Sequence, residues 1–478
     1  MTGGGLAAGG SWRMLEALAG LTGVRVDGQN PVAWMLETAQ AANISVIRAF
    51  ATGVTPELTL QLQPGVYNLP ALTALDQLLD LAAKRGIKLT LILARNWGAP
   101  DAKTNYASWN GLPVDDFFGS PQARDDFKAH ISFMVNRTNT VNGRRYRDDP
   151  TIFSWNLMNE PRFFGNNSQC HINTPSCTAT LQSWIEDISK HLKSVDPNHM
   201  ITVGEEGFYG LNSPQNSHNP QAPGAQWASE TGQDFVNNMK IPTIDYAEAH
   251  VWYDNWGVDP VFASNWAKWH MDDARSMGKP LVLEEFGKNV TSQDPAASSV
   301  RWLASTPGLE TFHLQYRCLH NHQIIAARNV PFATLFGLFN TSLQNDDVLR
   351  GIQYWMWDPS LHNPSNPGWA NYSQDQVLTD SSTFKDIILP SARAAAARSR
   401  KAVVVPGCTP AAAAPAASAP VAATPGAPAP QVVNAGPGPA PAANVGAPAG
   451  TAGRRLRGWA TLAHPAAAGG GVGTGMKR

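Results

Sequence analysis

The chain has 478 residues, 43% of them hydrophobic and only 15% charged, with a formal net charge of −1, where soluble proteins average about 25% charged. A near-neutral chain offers no basic face for phosphate, so nucleic acid is not an expected partner, and no apolar run reaches the ~18 residues that would cross a membrane. The length suggests two or three domains, and the 16 tryptophans beside 41 glycines and 36 prolines fit a globular protein up to about residue 400.

From the N-terminus, Met1–Gly10 is rich in Gly and Ala, without the basic start and apolar core of a secretion signal. Residues 1–22 are therefore set apart, as a start that is truncated or mis-assigned. From there, short apolar segments alternate with helical patterns. Strands are expected at Val24–Val26, Ser45–Phe50, Lys88–Ala94, Ile152–Met158, Met200–Glu205, Tyr246–Trp252, Pro280–Phe286 and Gly351–Trp357. They are too apolar to face water on one side, which is how parallel strands covered on both faces read. Between them, Leu72–Arg85 has helical spacing and Gly86 stops it. Ser120-Pro121 caps a helix over Ala123–Arg137, and Leu181–Val195 ends before Asp196-Pro197.

Eight strands with intervening helices predict an α/β fold of the (β/α)8 TIM-barrel type over residues 23–405. An open doubly wound sheet is the alternative, but no glycine-rich phosphate loop follows the first strand. The connection from Phe286 to Gly351 is longer than one helix needs. Within it, residues 306–327 carry three histidines and Cys318, and are read as an insertion. From Pro406 the chain is almost wholly Ala, Pro, Gly, Val and Thr, which cannot bury enough apolar surface to offset chain entropy. Residues 406–478 are expected to be a disordered Ala/Pro-rich tail. Four cysteines lack metal-ligand spacing, so no metal or other cofactor is expected; Cys170 and Cys177 could close a small disulfide. Six glycosylation sequons, beginning at Asn43, Asn136, Asn166, Asn289, Asn340 and Asn371, favour secretion.

In a barrel, catalytic groups stand at the C-terminal strand ends. Those ends carry Arg48, then Asn96-Trp97, Asn159-Glu160-Pro161-Arg162, Glu205-Glu206, His250-Val251-Trp252-Tyr253, Glu284-Glu285 and Trp355-Met356-Trp357. Strands four and seven lie across the ring from each other, so Glu160 and Glu285 can face one cavity. Two such carboxylates suit glycoside hydrolysis: one protonates the leaving oxygen, and the other, about 5 Å away, attacks the anomeric carbon. A nearby arginine would keep one ionised, and mutual repulsion would raise the pKa of the other.

These residues carry a resemblance. The stretches Val46–Phe50, Leu62–Tyr67, Asp115–Phe118, Tyr146–Phe153, Trp155–Arg162, Gly204–Tyr209 and Glu285–Lys288 resemble, in order and spacing, glycoside hydrolase family 5, and within it the endo-β-1,4-mannanases of plant and fungal type. The resemblance implies that Glu160 is the general acid/base and Glu285 the nucleophile. Arg48 would hold the nucleophile ionised, Asn159 would bind the sugar 2-hydroxyl, and His250 would orient the acid side. Trp355 would lie under the sugar at the cleavage point. Arg162 and Glu206 would line the sugar-binding cleft on the leaving-group side and in the Gly204–Tyr209 stretch, and Trp97 would offer a further stacking surface. The family usually has His-x-Tyr on strand six, where this chain has Trp252, with Tyr253 next to it. Either Trp252 takes the tyrosine's place, or the chain bends and brings Tyr253 in.

The expected protein is thus a secreted, monomeric, retaining endo-β-1,4-mannanase acting on mannan, glucomannan or galactomannan. A cellulase-like β-1,4-glycanase and an inactive carbohydrate-binding barrel are the alternatives. Without the tail, about 400 residues remain, which fit one decorated barrel, and a neutral, tryptophan-rich cleft suits an uncharged polysaccharide.

Overall fold

The structure is a computed structural model that describes residues 9–10, 30–53, 59–98, 101–163, 175–220, 227–288, 328–355, 357–358, 377–379, 381–402 and 430–433. Its eight barrel strands are β1 (Gly9–Gly10), β2 (Val46–Phe50), β3 (Lys88–Ile92), β4 (Ile152–Asn156), β5 (Met200–Thr202), β6 (Ala247–Val251), β7 (Leu281–Phe286) and β8 (Leu349–Tyr354). Each is followed by a helix: α1 (Pro31–Ala41), α2 (Leu69–Lys84), α3 (Pro121–Asn136), α4 (Pro175–Val195), α5 (Phe235–Met239), α6 (Pro260–Met277), α7 (residues 328–344) and α8 (Leu389–Ala402).

The strands pair in parallel as two hydrogen-bonded sets, β2-β3-β4-β5 and β6-β7-β8-β1. The seam between β5 and β6 is closed differently: the Asp245 N–H donates to the Ile201 carbonyl at 2.9 Å, and the Asp245 carboxylate accepts the Ile201 N–H at 2.7 Å. At the other seam β1 lies beside β2. The molecule is a (β/α)8 barrel. Strands β6 and β7 are buried along their whole length, as strands covered by helices outside and side chains inside must be.

Local chemistry accounts for the helices. In α2, Leu72, Leu75, Leu78, Leu79 and Ala82 form the buried stripe, and Gly86, at φ +66°, turns the chain out of the helix. Ser120 Oγ accepts the Ala123 N–H at 3.3 Å to cap α3. Helices α2, α3 and α4 begin two to six residues earlier than the apolar spacing indicates, with Pro70, Pro121 and Pro175 in the added first turns. A proline there forfeits no hydrogen bond, because the first-turn N–H groups have no partner within the helix.

The strand expected at Val24–Val26 lies outside the described residues, as does the 306–327 insertion. The strand that pairs with β8 is Gly9–Gly10, with Gly9 opposite Gln353 and Gly10 opposite Tyr354. The barrel therefore draws on the segment before residue 23. A hairpin of Gln61–Gln63 and Val66–Asn68 follows β2, and Gln431–Val433 lies parallel to its second strand. These three residues and Pro430 are the described part of the Ala/Pro-rich segment. The chain divides into a compact unit of residues 1–436 and a second of 437–478; the second lies outside the described residues. Cys177 is disulfide-bonded, and the other three cysteines lie outside the described residues.

Candidate active site

The end of β4 places the first carboxylate. Beyond the strand the pairing with the β5 side continues, from Leu157 N–H to the Thr202 carbonyl and from Met158 N–H to the Val203 carbonyl, both at 3.0 Å. The chain then turns sharply. Glu160 has φ +55°, a left-handed conformation that costs a non-glycine residue roughly 1–3 kcal/mol. It is held there by its own N–H, which donates to the Gly204 carbonyl at 2.6 Å. Gly204, at φ +96°, is the partner that lets the two strand ends approach.

The end of β7 places the second carboxylate, through an irregularity. Ala249 of β6 pairs with Leu283 and His250 with Glu285, so Glu284 is an additional residue on the β7 side. Such a bulge breaks the alternation of faces. Both Glu284 and Glu285 consequently reach the groups inside the barrel mouth. One side-chain oxygen of Glu160, one of Glu285 and one ring nitrogen of His250 all lie within 4.8 Å of one another. Positive charge is already supplied there, by Arg48 at 2.8 Å from Glu285. The trio therefore reads as a carboxylate pair rather than as a metal centre.

Arg48, fully buried on β2, ties the group together. Its Nη1 lies 2.8 Å from Glu285 Oε2, its Nη2 2.6 Å from Asn159 Oδ1, and its Nε 3.2 Å from Glu284 Oε2. Trp252 Nε1 donates to the other oxygen of Glu285 at 3.2 Å. The ambiguity on strand six thus resolves to Trp252. Tyr253 is buried, with Lys288 Nζ 5.8 Å from its ring centre. On the facing side, His250 Nδ1 lies 2.9 Å from Glu160 Oε1, and Trp97 Nε1 donates to Glu160 Oε2. Trp97 is therefore not a bare stacking platform: its N–H is on the acid candidate, and the Arg162 guanidinium sits 4.2 Å over its ring. Arg162 Nε is in turn 3.4 Å from Glu206, whose carboxylate also accepts from Gln233 Nε2. Trp355 is half-buried, its backbone N–H donating to the Phe286 carbonyl at 2.8 Å and its ring set edge-on to Phe50. Between Trp252 and Trp355 lies Gly287, where a Cβ would come within 2.6 Å of the Trp252 ring and 2.7 Å of the Trp355 carbonyl.

Every predicted site residue except Tyr253 and Trp355 falls into this one chain of contacts. Glu284, noted at the strand end but given no role, joins it, as do Asn156 and Gln233. Glu284 Oε2 accepts from Asn156 Nδ2 at 2.7 Å and lies 3.6 Å from His250 Nε2. The available signal was a pair of adjacent glutamates inside an otherwise apolar strand, which a strand buried on both faces would not carry without partners.

Opposing influences act on each of the two buried carboxylates. Burial pushes Glu285 above the usual carboxylate range and the charge of Glu160 adds to this, against the opposing pull of His250, Arg48 and the Trp252 N–H. Burial also acts on Glu160, but the hydrogen bond and charge of His250, the charge of Arg162 and the Trp97 N–H together hold it below the usual range. His250 sits between them, its Nδ1 2.9 Å from Glu160 and 3.8 Å from Glu285. Burial disfavours its charge, yet Glu285, Glu160 and Glu284 surround it and push its pKa up to about 10. Glu206 is raised to about 7, by burial first and by the charge of Glu160, against Arg162.

A raised histidine stabilises the fold while it is protonated. The contribution is complete below the unfolded value near 6.5 and is lost as pH rises through about 10. The melting-temperature gap between the wild-type protein and His250→Asn should therefore be widest near pH 6 and shrink steadily toward pH 10. A gap that stays constant over that range, followed by thermal unfolding at each pH, contradicts the charged state of His250.

The comparisons with known proteins follow the same lines. The chain is 35% identical over 281 residues to mannan endo-1,4-beta-mannosidase 5 of Arabidopsis thaliana, covering 56% of this chain and 62% of the relative. It is 37% identical over 275 residues to mannan endo-1,4-beta-mannosidase 2 of Oryza sativa subsp. japonica, covering 54% and 58%. The chain thus spans about three fifths of the length of these relatives. The fold matches an endo-beta-1,4-mannanase from Thermotoga petrophila with a TM-score of 0.62 at 23% identity, covering 83% of this chain and 77% of that one. It also matches an endo-1,4-beta-mannanase from Rhizomucor miehei with a TM-score of 0.61 at 22% identity, covering 82% and 95%. The family model described as GH family 5 beta-mannosidase-like matches residues 34–380, most of the chain, and the protein belongs to that family.

Proposed function

We propose that the protein is a retaining endo-β-1,4-mannanase. The observation that carries this reading is the pair Glu160 and Glu285, facing each other from β4 and β7 with oxygens within 4.8 Å, the short separation that direct attack requires. Glu285 attacks the anomeric carbon and the bond to the leaving oxygen breaks as Glu160 protonates it. Water, activated by Glu160, then releases the sugar from Glu285. Arg48 and Trp252 aim the nucleophile. Arg48 also engages Asn159 Oδ1, which leaves the Nδ2 side of that amide for the sugar 2-hydroxyl.

The reaction needs Glu160 protonated and Glu285 ionised. The proton can reach Glu160 from His250 Nδ1, which lies on the same 2.9 Å hydrogen bond. Arg162 lines the leaving-group side, Trp355 the side of the sugar being transferred. We read residues 23–405, extended by β1, as the catalytic domain and 406–478 as a linker-like tail. The protein is read as a secreted, cell-wall-directed monomer: the Cys177 disulfide and the six sequons suit an oxidising compartment.

Reducing-sugar release by the full chain tests the reading. Galactomannan and glucomannan should be cleaved at least ~10-fold faster than carboxymethylcellulose, because differential contacts to one sugar hydroxyl are worth about 1–3 kcal/mol. Preference for carboxymethylcellulose would make the protein a cellulase-like glycanase. Binding to mannan without cleavage of any polymer would make it a binding barrel.

A further inference from the structure

We propose that Trp97 is a positioning residue for the acid/base carboxyl Glu160, which it holds through its indole N–H, and is not a platform for a sugar ring. The inference rests on Glu160 being the acid/base. Three observations carry it. First, both oxygens of Glu160 are engaged by donors from different elements: Oε1 by His250 Nδ1 from β6, and Oε2 by Trp97 Nε1 from the loop after β3. An indole N–H donates and cannot accept, so this bond favours the ionised carboxylate. Second, one face of the Trp97 ring is covered by the Arg162 guanidinium, 4.2 Å from its centre. A cation so placed is attracted by the ring and fixes its plane. Third, Arg162 is itself fixed by Glu206 at 3.4 Å, and Glu206 by the Gln233 amide, whose Nε2 also donates to the Pro161 carbonyl at 3.1 Å. The line Gln233–Glu206–Arg162–Trp97 thus ends on Glu160 and orients one N–H.

This line has a consequence for the reaction. A leaving-group sugar must bring its glycosidic oxygen to Glu160, whose two oxygens already have donors. Since His250 holds Oε1 from a fully buried position, the half-buried Trp97 is the donor that yields. Losing it removes one of the interactions that keep Glu160 ionised, at the moment when the carboxyl has to carry a proton. The charged and titratable groups around Glu160 are His250 from β6, Glu284 and Glu285 from β7, Arg48 from β2, and Arg162 and Glu206 beyond β4 and β5. None of them is changed by altering the indole nitrogen.

The test is Trp97→Phe, which keeps a ring under Arg162 and deletes the N–H. The basic limb of the pH profile of kcat/KM, which reports the free enzyme, should move upward by about one pH unit, with KM on galactomannan within about twofold of wild type. A raised KM with an unmoved basic limb would make Trp97 a stacking platform and overturn the proposal. A second readout needs no turnover: titration of the Glu160 carboxyl by 13C NMR in glutamate-labelled full-length protein, assigned with Glu160→Gln. There the same upward shift is expected, and equal midpoints in wild type and variant overturn the proposal even if the wild type cleaves no polymer. Wild-type inactivity on every polymer counts against the acid/base reading, whereas an active wild type with an unshifted variant counts against Trp97 alone. Trp97→Leu serves in both measurements where the phenylalanine variant does not fold.

Discussion

Glu285→Ala should lower kcat on galactomannan by at least ~10³-fold while the protein still folds. The loss follows from deleting the attacking atom: without a covalent intermediate the difficult displacement is no longer divided into two easier steps, and ~10³ corresponds to about 4 kcal/mol of transition-state stabilisation. Folding should survive because the charged neighbours Arg48 and His250 keep partners. Arg48 retains Glu284 at 3.2 Å and Asn159 at 2.6 Å. Moreover, burial disfavours the ionised form of Glu285, so its removal also removes that desolvation cost. Reducing-sugar assays beside thermal unfolding separate the two effects. Activity within tenfold of wild type in the folded variant would leave the double-displacement reading without its nucleophile.

Gly204→Ala should have the largest effect on the fold around the site. At φ +96° any other residue is strained, and the added methyl would overlap the Asn156 side-chain oxygen and the Met158 carbonyl. Neither can withdraw freely. Asn156 is the buried partner of Glu284 at 2.7 Å, and Met158 is hydrogen-bonded to Val203 at 3.0 Å. Overpacking against fixed backbone costs about 1–3 kcal/mol and the conformation adds a similar amount. A loss of roughly 3 kcal/mol or more in urea unfolding is expected. In whatever fraction folds, Gly204 can no longer accept the Glu160 N–H at 2.6 Å, and kcat should fall by about 10²-fold through the misplaced acid, the lower end of what a general acid supplies. A stable, fully active Gly204→Ala protein would mean that the strand ends separate without cost and that the left-handed turn at Glu160 is not anchored there.

The turn at Glu160 and the bulge at Glu284 show where sequence reasoning stops. Seven of the eight strands were readable, because apolar runs of parallel strands are local features. The first was not: Gly9–Gly10 has no apolar pattern, and only its hydrogen bonds to β8 make it a strand. The bodies of α2, α3 and α4 were readable from their apolar spacing, and their starts lie two to six residues earlier because the first turn adds nothing to that stripe. At the site, the residue types at the strand ends were legible, since a carboxylate after an apolar strand is conspicuous in the chain itself.

By itself the sequence determined the barrel, the family, and the two carboxylates with Arg48, Asn159 and His250 around them. The residues concerned lie on or just after their own strands, and the family resemblance implied their roles. The tertiary structure alone decided that Trp252 and not Tyr253 reaches Glu285, that Glu284 turns inward, and that the Trp97 N–H belongs to Glu160. Each of these depends on the register between strands or on a hydrogen bond across the mouth, as between Arg48 and Glu285. Such contacts join residues far apart in the chain, and the alternation of side chains along one strand holds no record of a bulge imposed by its neighbour.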